Sequence, residues 1–290
     1  MNDNALTDLN YVQANMAYTT AIPGAARVRI FPPASGKKLE SPRSERVSVS
    51  IYDCRPLASD LKLDVAGFEL SSTASEFSDF YDAEAVRNYY YPETAALLKR
   101  SVGAEAVFVF DHNVRNQTRA DQKQPGVSIP TDGAHNDYTL DSGPRRIREV
   151  LEQNGATELL DRRAAIVNVW RPIRGPVQDH PIAVCDARTT GLEDFVATDI
   201  EHYQEDNLDE PHLTGQIYSF RYNPKHRWFY VADMQPSEAL FLKCFDTATD
   251  GRACFTGHTG FKNLSSPPDA TPRESIEVRT VVVYPEPRDT

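Results

Sequence analysis

The sequence predicts an α+β protein that is mainly β and is built on a jelly roll or barrel. Helical patterns are concentrated before residue 155, and many short apolar segments punctuated by Pro, Gly, Asn and Asp follow. No helical pattern lies between successive late segments, so a parallel βαβ arrangement is disfavoured. A chain of 290 residues, 40% of them hydrophobic, can bury a sizeable core.

The elements of the first half follow from local patterns. Residues 1–25 are polar and end at Pro23-Gly24, so we expect them to be poorly ordered. Alternation of apolar and polar residues predicts two strands, and helix-start signals at Asp82 and Pro92 predict a helical region. In order, these elements cover residues 26–31, 46–52 and 76–101.

The elements of the second half are mostly strands. We expect a buried strand over residues 104–111 and a loop or edge strand over 113–134. A short helix is expected over 144–155, and it ends at Asn154-Gly155. The strands expected after that helix are 165–172, 181–187, 216–222, 227–232, 239–245, 252–256 and 275–284.

Composition excludes several classes of protein. A formal net charge of −11 argues against a nucleic-acid partner, because phosphate contacts need clustered Lys and Arg. The sequence contains no run of eighteen apolar residues, so no membrane span is predicted. The N-terminus has no signal-peptide pattern, and the expected location is therefore cytoplasmic. The four cysteines form no CxxC pair and are interpreted as free thiols.

His135-Asn136-Asp137 is a His-x-Asp motif. In an extended segment, residues i and i+2 point to the same side, so the imidazole and the carboxylate can bind one metal ion. A second histidine from a distant strand would complete a facial triad and leave positions open on an octahedral metal. On its own the motif is weak, because a loop histidine beside a solvated aspartate has the same pattern.

Two histidines are candidates for the third ligand. His258 lies between Gly257 and Thr259-Gly260, where the chain returns from a predicted strand and can present the side chain on a tight turn. His226 precedes the predicted strand 227–232 and is the main rival. The pattern alone does not decide between them.

The last predicted strand carries polar residues at every second position. Arg273 and Ser275 share one face, and a guanidinium with a hydroxyl suits the carboxylate of a small diacid. Arg279 lies on the same face and is the alternative anchor. A solvent-facing edge strand with paired charges would show the same alternation.

Asn168 and Trp170 share a face of the predicted strand 165–172. A polar Asn in an otherwise apolar strand needs a buried partner. The pair is interpreted either as pocket lining or as part of a buried polar network.

Together these segments resemble a family of microbial hydroxylases and desaturases, which includes the small subunit of the cephalosporin methoxylase system and gibberellin-desaturase-like enzymes. The similarity covers most of residues 104–284. The matching stretches are FVFDHNVR, HND, NVWRPIRGPVQDHPIAVCDAR, YNPKHRWFY, EALFLKCFD and GHTGF with PRESIEVR.

The resemblance implies a double-stranded β-helix, a jelly roll of the cupin-like type, with flanking helices. It implies Fe(II) held by His135, Asp137 and His258, with 2-oxoglutarate and O₂ as cosubstrates and with Arg273 and Ser275 at the 2-oxoglutarate. We therefore expect one oxygenase domain over residues 26–290, with its β-helix core at about 104–284.

The expected function is oxidation of an aliphatic C–H bond in a small secondary metabolite or amino-acid-like substrate, by hydroxylation or desaturation. Two alternatives stay open: an inactive cupin-like binding protein, and a triad iron enzyme that does not use 2-oxoglutarate. The oligomeric state is also open, a homodimer included.

Overall fold

The structure is a computed structural model that describes residues 6–24 and 26–286. In these ranges the chain forms fifteen strands and five α-helices. The strands are β1 (Tyr11–Thr19), β2 (Arg27–Ile30), β3 (Ser44–Asp53), β4 (Phe68–Ser71), β5 (Ala106–Asn116), β6 (Val127–Ser128), β7 (His135–Asn136), β8 (Ala164–Pro172), β9 (Ile182–Cys185), β10 (Phe195–His202), β11 (Leu213–Phe220), β12 (Trp228–Tyr230), β13 (Ala239–Asp246), β14 (His258–Gly260) and β15 (Glu274–Val283). The helices are α1 (Leu63–Ala66), α2 (Ala83–Ala85), α3 (Tyr91–Val102), α4 (Gln117–Asp121) and α5 (Ser142–Gln153).

The strands form two sheets that pack face to face. The larger sheet has the order β1-β3-β12-β9-β14-β7-β11-β10-β2, and the smaller one has the order β4-β13-β8-β15-β5-β6. Strand pairing is mostly antiparallel, and neighbours in the sheets are often far apart in the chain, as in a jelly roll. No described helix is both long and apolar enough to span a bilayer.

The central strand β8 shows how the sequence builds two hydrophobic layers. Ile166 and Trp170 point inward and pack in a cluster with Val184 of the larger sheet. Val167 points outward and packs with Leu98 of α3, which covers the outer face of the smaller sheet. Burial of each large apolar side chain contributes about 1.5–3 kcal/mol, which explains why β8 is apolar at nearly every position.

The inner face of β15 changes character along the strand. Val281 and Val283 belong to the apolar core between the sheets. Towards the start of the strand, the same face carries Arg279, Glu277 and Ser275, of which Glu277 and Ser275 are buried. Polar groups on the inner face therefore mark one end of the sandwich as the place for a functional site.

Most predicted strands are present, but the expected disorder of residues 1–25 is wrong for the segment that the structure describes as β1. Residues Tyr11–Thr19 pair with β3 along their whole length. Ala14, Met16 and Tyr18 are buried in a core cluster, while Tyr11 and Asn15 are exposed. The alternation of buried Ala14 and Met16 with exposed Asn15 is that of a strand, but it spans too few residues to outweigh the polar character of residues 1–25.

Two further differences concern short segments. The predicted strand 252–256 is irregular, because Ala253 N donates to Asp64 O and Thr256 N donates to Lys243 O instead of joining a ladder. The strands β4 and β10 are not among the predicted ones; β4 pairs with the longer β13, and β10 lies between β11 and β2. The expectation of one domain over residues 26–290 stays a prediction.

Candidate active site

Three side chains with metal-binding atoms meet at the centre of the larger sheet. His135 in β7 and His258 in β14 are directly paired across the two strands, and their ring centroids are 4.5 Å apart. Asp137 follows β7, and its Oδ1 lies 3.3 Å from His135 Nε2 and 3.7 Å from His258 Nε2. The ligand atoms of the three residues all lie within 4.8 Å of one another.

Hydrogen bonds fix the orientation of the His135 ring. Nδ1 of His135 lies 2.7 Å from Gly133 O, so it donates to that carbonyl and Nε2 keeps its lone pair for a metal. The side chain of Asn136 points the other way and donates to Cys244 O at 2.9 Å. The i, i+2 relation of an extended segment therefore places His135 and Asp137 on the same side.

The two oxygens of Asp137 face different surroundings. Oδ1 faces the histidines, whereas Oδ2 accepts from Asn168 Nδ2 at 2.8 Å and from Arg279 Nε at 3.1 Å. Burial alone would raise the pKa of Asp137, but the Arg279 guanidinium and the two histidines outweigh it and hold this pKa well below its usual range. Asp137 is therefore an anion ready to bind a cation.

A small cavity of about 30 Å³ lies beside the three candidates. Polar side chains and Gly260 form most of its wall. The lining residues are Arg115, Thr131, His135, Asp137, Trp170, Ile182, His258, Thr259, Gly260, Arg273, Glu277 and Arg279.

Arg273 is the buried cation of this cavity. Only 4% of the residue is exposed, its Nη1 donates to His180 O at 2.9 Å, and its Nε has no hydrogen-bond partner. The guanidinium lies 5.6 Å from the centre of the Trp170 ring. Burial, followed by repulsion from Arg115, lowers the pKa of Arg273 to about 9, so a carboxylate in the cavity would be strongly attracted.

A larger cleft of about 610 Å³ also borders the candidate metal ligands. Asp137 and Arg279 line both the cleft and the small cavity, so they form part of the wall between the two. Apolar and cationic side chains of β5, α5, β10 and β11 form much of the rest. They include Phe110, Arg145, Arg146, Ile200, Leu213 and Ile217, and Tyr138 from the segment after β7 joins them.

His226 lies apart from the three candidates. It lines a cavity of about 920 Å³ that contains none of them. Its ring stacks on Phe220 with a centroid distance of 4.7 Å, and Nε2 lies 3.0 Å from Asp194 Oδ2. These contacts are those of a packed histidine beside a carboxylate.

The structure brings the other predicted site residues to the same region. Arg273, Arg279 and Trp170 line the small cavity, and Asn168 contacts Asp137. Ser275 is buried next to them on β15, and its Oγ has no hydrogen-bond partner, but it is not part of the cavity wall.

Sequence reasoning missed Arg115 and Glu277 as cavity residues. Arg115 lies in β5 directly opposite Ser275, in a stretch expected to be a loop or edge strand. Asp111, Asn113 and Arg115 are polar residues at every second position. Extension of the predicted strand 104–111 through them would place Arg115 on the same face as Asp111 and Asn113. Glu277 has the same even spacing as Arg273, Ser275 and Arg279, but the alternation alone indicates no role for it.

A sandwich that carries a His-Asp-His cluster on the middle strands of its larger sheet is the arrangement of a mononuclear non-haem metal oxygenase of the jelly-roll class. The sequence profile of the family described as YDMC, Oxidoreductase/YMDC permease-like domain, matches residues 9–283. The hydroxylase/desaturase efuI of Hormonema carpetanum is 32% identical over 250 residues, which are 81% of this chain and 83% of that protein. The alpha-ketoglutarate-dependent dioxygenase phiK of a fungal species (strain ATCC 74256) is 31% identical over 241 residues, with 82% and 84% of the chains covered.

This chain therefore belongs to the family of hydroxylase/desaturase-type, Fe(II)/2-oxoglutarate-dependent dioxygenases. Among solved structures, the iron and alpha-ketoglutarate-dependent endoperoxidase NvfI has the same fold, with a TM-score of 0.81 and 24% identity. The superposition covers 94% of this chain and 98% of that one. The predicted jelly-roll fold and the predicted family are thereby confirmed.

Proposed function

We propose that this chain binds Fe(II) through His135, Asp137 and His258 and uses 2-oxoglutarate and O₂ to oxidise an aliphatic C–H bond of a small secondary metabolite, by hydroxylation or desaturation. The observation that carries the proposal is the convergence of these ligand atoms within 4.8 Å beside a cavity that holds the buried guanidinium of Arg273, whose Nε has no hydrogen-bond partner. Two imidazoles and one carboxylate fit Fe(II), because they leave positions open for other ligands.

The residues of the chain hold and shield the reacting groups. Bound iron would supply the oxidation chemistry, which no side chain of this protein can perform. Gly133 O fixes the tautomer of His135, and the side chains of His135, Asp137 and His258 are only 17%, 11% and 4% exposed, which limits the access of bulk water to the metal. These roles are typical of a protein that positions a reactive centre and protects it.

Arg273 is the proposed anchor for the far carboxylate of 2-oxoglutarate. It is buried and has a free Nε, and Ser275 adds a buried hydroxyl without a partner on the same strand face. A bidentate guanidinium is the best match for a buried carboxylate. Arg279 is the weaker candidate for this role, because its guanidinium already contacts Asp137, Glu277 and Asp111.

The cleft of about 610 Å³ is the proposed substrate site. It reaches the candidate metal ligands at Asp137, it is not lined by Arg273, and its volume suits a small molecule. One relative is named aspirochlorine biosynthesis protein N, which supports a secondary metabolite as substrate. Another is named hydroxylase/desaturase asaB, which supports the type of reaction. We also expect a cytoplasmic location and no nucleic-acid partner, in line with the net charge of −11.

Anaerobic titration of the purified protein with Fe(II) and 2-oxoglutarate tests this function. We expect a weak visible charge-transfer band that needs both additions. Arg273→Leu should raise the 2-oxoglutarate requirement by at least ~100-fold with metal binding intact, since breaking a buried ion pair costs about 3–5 kcal/mol. Arg148→Leu on the exposed side of α5 is the control, and it should leave the titration unchanged.

The possible results separate the remaining alternatives. Iron binding with no response to 2-oxoglutarate would indicate a triad iron enzyme that does not use this cosubstrate. A protein that binds neither iron nor 2-oxoglutarate would be a binding protein of the cupin-like type. Equal 2-oxoglutarate requirements of wild type and Arg273→Leu would remove Arg273 from the site.

A further inference from the structure

The carboxylate of Asp137 is held at one oxygen by two donors. Asn168 Nδ2 lies 2.8 Å and Arg279 Nε lies 3.1 Å from the same atom, Oδ2. The other oxygen, Oδ1, faces His135 and His258. The amide oxygen of Asn168 is buried without a partner, so its side chain is turned to donate to Asp137 although its own acceptor is left unsatisfied.

The sheet places both donors in one row. Arg279 of β15 is directly paired with Asn168 of β8 and with Asp111 of β5. The other two nitrogens of Arg279 are also engaged, Nη1 with Asp111 Oδ2 at 3.0 Å and Nη2 with Glu277 Oε1 at 3.2 Å. With three carboxylates around one guanidinium, the Nε that reaches Asp137 has little freedom to turn away.

We infer that Arg279 and Asn168 are positioning residues that make Asp137 a one-oxygen metal ligand. The inference rests on the proposed function, because it assumes that a metal binds to His135, Asp137 and His258. For Asp137 to chelate the metal with both oxygens, Oδ2 would have to leave two donors in a buried site. One-oxygen ligation keeps more positions of an octahedral metal open, as a chelating cosubstrate and O₂ require.

A role in charge compensation alone would predict something different. In that case any cation at position 279 would suffice, and the substitution Arg279→Lys would preserve the metal site. A lysine has a single nitrogen, which cannot contact Asp137, Glu277 and Asp111 in the planar arrangement of a guanidinium. Removal of the amide in Asn168→Ala would leave the charges unchanged and test the second donor separately.

The experiment is titration of the metal-free full-length protein with Co²⁺ alone, followed by the visible spectrum of the loaded protein. Loss of a residue that orients a metal ligand weakens metal binding by about 10–100-fold, and we expect this for Arg279→Lys and Asn168→Ala. Because the visible bands of Co²⁺ depend on its coordination number, both variants should also show a changed spectrum.

Arg163→Lys is the matched control for general destabilisation. Arg163 holds another buried aspartate, Asp246, with its Nε and Nη2 at 3.2 and 2.7 Å, and it is outside the cavity and the cleft. This variant should bind Co²⁺ like wild type with the same spectrum. If Arg279→Lys does not fold, Asn168→Ala decides the question.

Two negative outcomes are distinguishable. If wild type binds Co²⁺ and 2-oxoglutarate, and both variants match it in affinity and spectrum, the positioning role is overturned while the proposed function stands. If wild type binds no Co²⁺, or binds it equally well after His135→Ala, the metal site itself is wrong.

Discussion

The environments of two buried histidines show how residue surroundings separate a proposed metal ligand from a packing residue. His258 is paired across the sheet with His135, and burial, followed by the nearby His135, lowers its pKa to about 3. Its imidazole is therefore neutral and has a lone pair for a metal. His226 is instead stacked on Phe220 with its Nε2 against Asp194.

The first prediction at this scale compares these two histidines. His258→Ala should eliminate succinate formation from 2-oxoglutarate, because it removes a proposed ligand. His226→Ala should leave succinate formation measurable, although the protein will be less stable through the loss of a buried ring. Succinate assays on folded variants check this, and the opposite result would move the third ligand to His226.

Residue patterns in the sequence predict which side chains share a face but not what each side chain touches. The spacing of Arg273, Ser275 and Arg279 predicts one face, and the structure has Ser275 and Arg279 on the inner side of β15, with Arg273 directly before the strand in the wall of the small cavity. That Arg279 reaches Asp137, a contact across 142 positions of the chain, depends on the pairing of distant strands. No local pattern contains that information.

At the scale of elements, the short strand β14 depends on a close approach that only glycine allows. A Cβ on Gly260 would lie 2.6 Å from Thr131 O and 3.2 Å from Arg273 Nη1. Gly260 N also donates to Thr131 O at 2.8 Å, so this carbonyl cannot move away without loss of a hydrogen bond. The glycine therefore keeps the wall of the small cavity next to Arg273.

Gly260→Ala should accordingly weaken binding of 2-oxoglutarate. Overpacking costs about 1–3 kcal/mol, which is roughly a fivefold to hundredfold increase in Kd if it falls on the bound state. Gly215→Ala in β11 is the control, since a Cβ there meets nothing within 4 Å. Anaerobic titration of both variants measures the effect, and equal Kd values would show that the cavity wall adjusts without cost.

The N-terminal strand is an element whose importance the sequence conceals. Besides its pairing with β3, β1 contacts the segment before the metal motif, where Ala134 N donates to Ala17 O at 3.0 Å. Residues 1–25 are expected to be poorly ordered from the sequence because they are polar and end at Pro23-Gly24. Tertiary pairing, which a single sequence does not display, determines the strand.

At the scale of the whole molecule, ion pairs connect distant parts of the sandwich. Arg55, which follows β3, forms a bidentate ion pair with Glu238, which precedes β13. The two N–O distances are 2.5 and 2.9 Å. The contact with Arg55 lowers the pKa of Glu238 below its usual 4.5. Because the pKa of Glu238 is lower in the folded than in the unfolded protein, the ion pair stabilises the fold fully at a pH above the unfolded-state pKa. This stabilisation is lost as the pH falls through the folded-state pKa.

We therefore expect acid to destabilise the wild type more steeply than Glu238→Gln. Between about pH 5 and about pH 3, the free energy of unfolding should fall faster for the wild type, while near neutral pH the variant should be the less stable protein. Glu84→Gln, at an exposed position of α2, should follow the wild type. Urea unfolding at several pH values checks the slopes, and identical slopes for all three proteins would show that the Arg55–Glu238 pair does not contribute.

The class of fold and the metal motif could be predicted because they depend on short periodic patterns and on an ordered resemblance over residues 104–284. The sheet order could not be predicted, since β14 and β7 are only three and two residues long and leave almost no periodic signal. The division into a small cavity and a larger cleft also needed the structure, because residues of six elements line the small cavity and residues of five elements line the cleft.

The distribution of the site along the chain has a consequence for biosynthesis. Asp137 and His258 are supplied by segments far apart in the sequence, and the contact that fixes Asp137 comes from Arg279 in the last strand. A nascent chain that has not yet reached residue 258 holds only two of the three proposed ligands. Iron can therefore be captured in the geometry of the proposed site only after the segments that carry His258 and Arg279 have been synthesised, so metal loading follows the synthesis of β15.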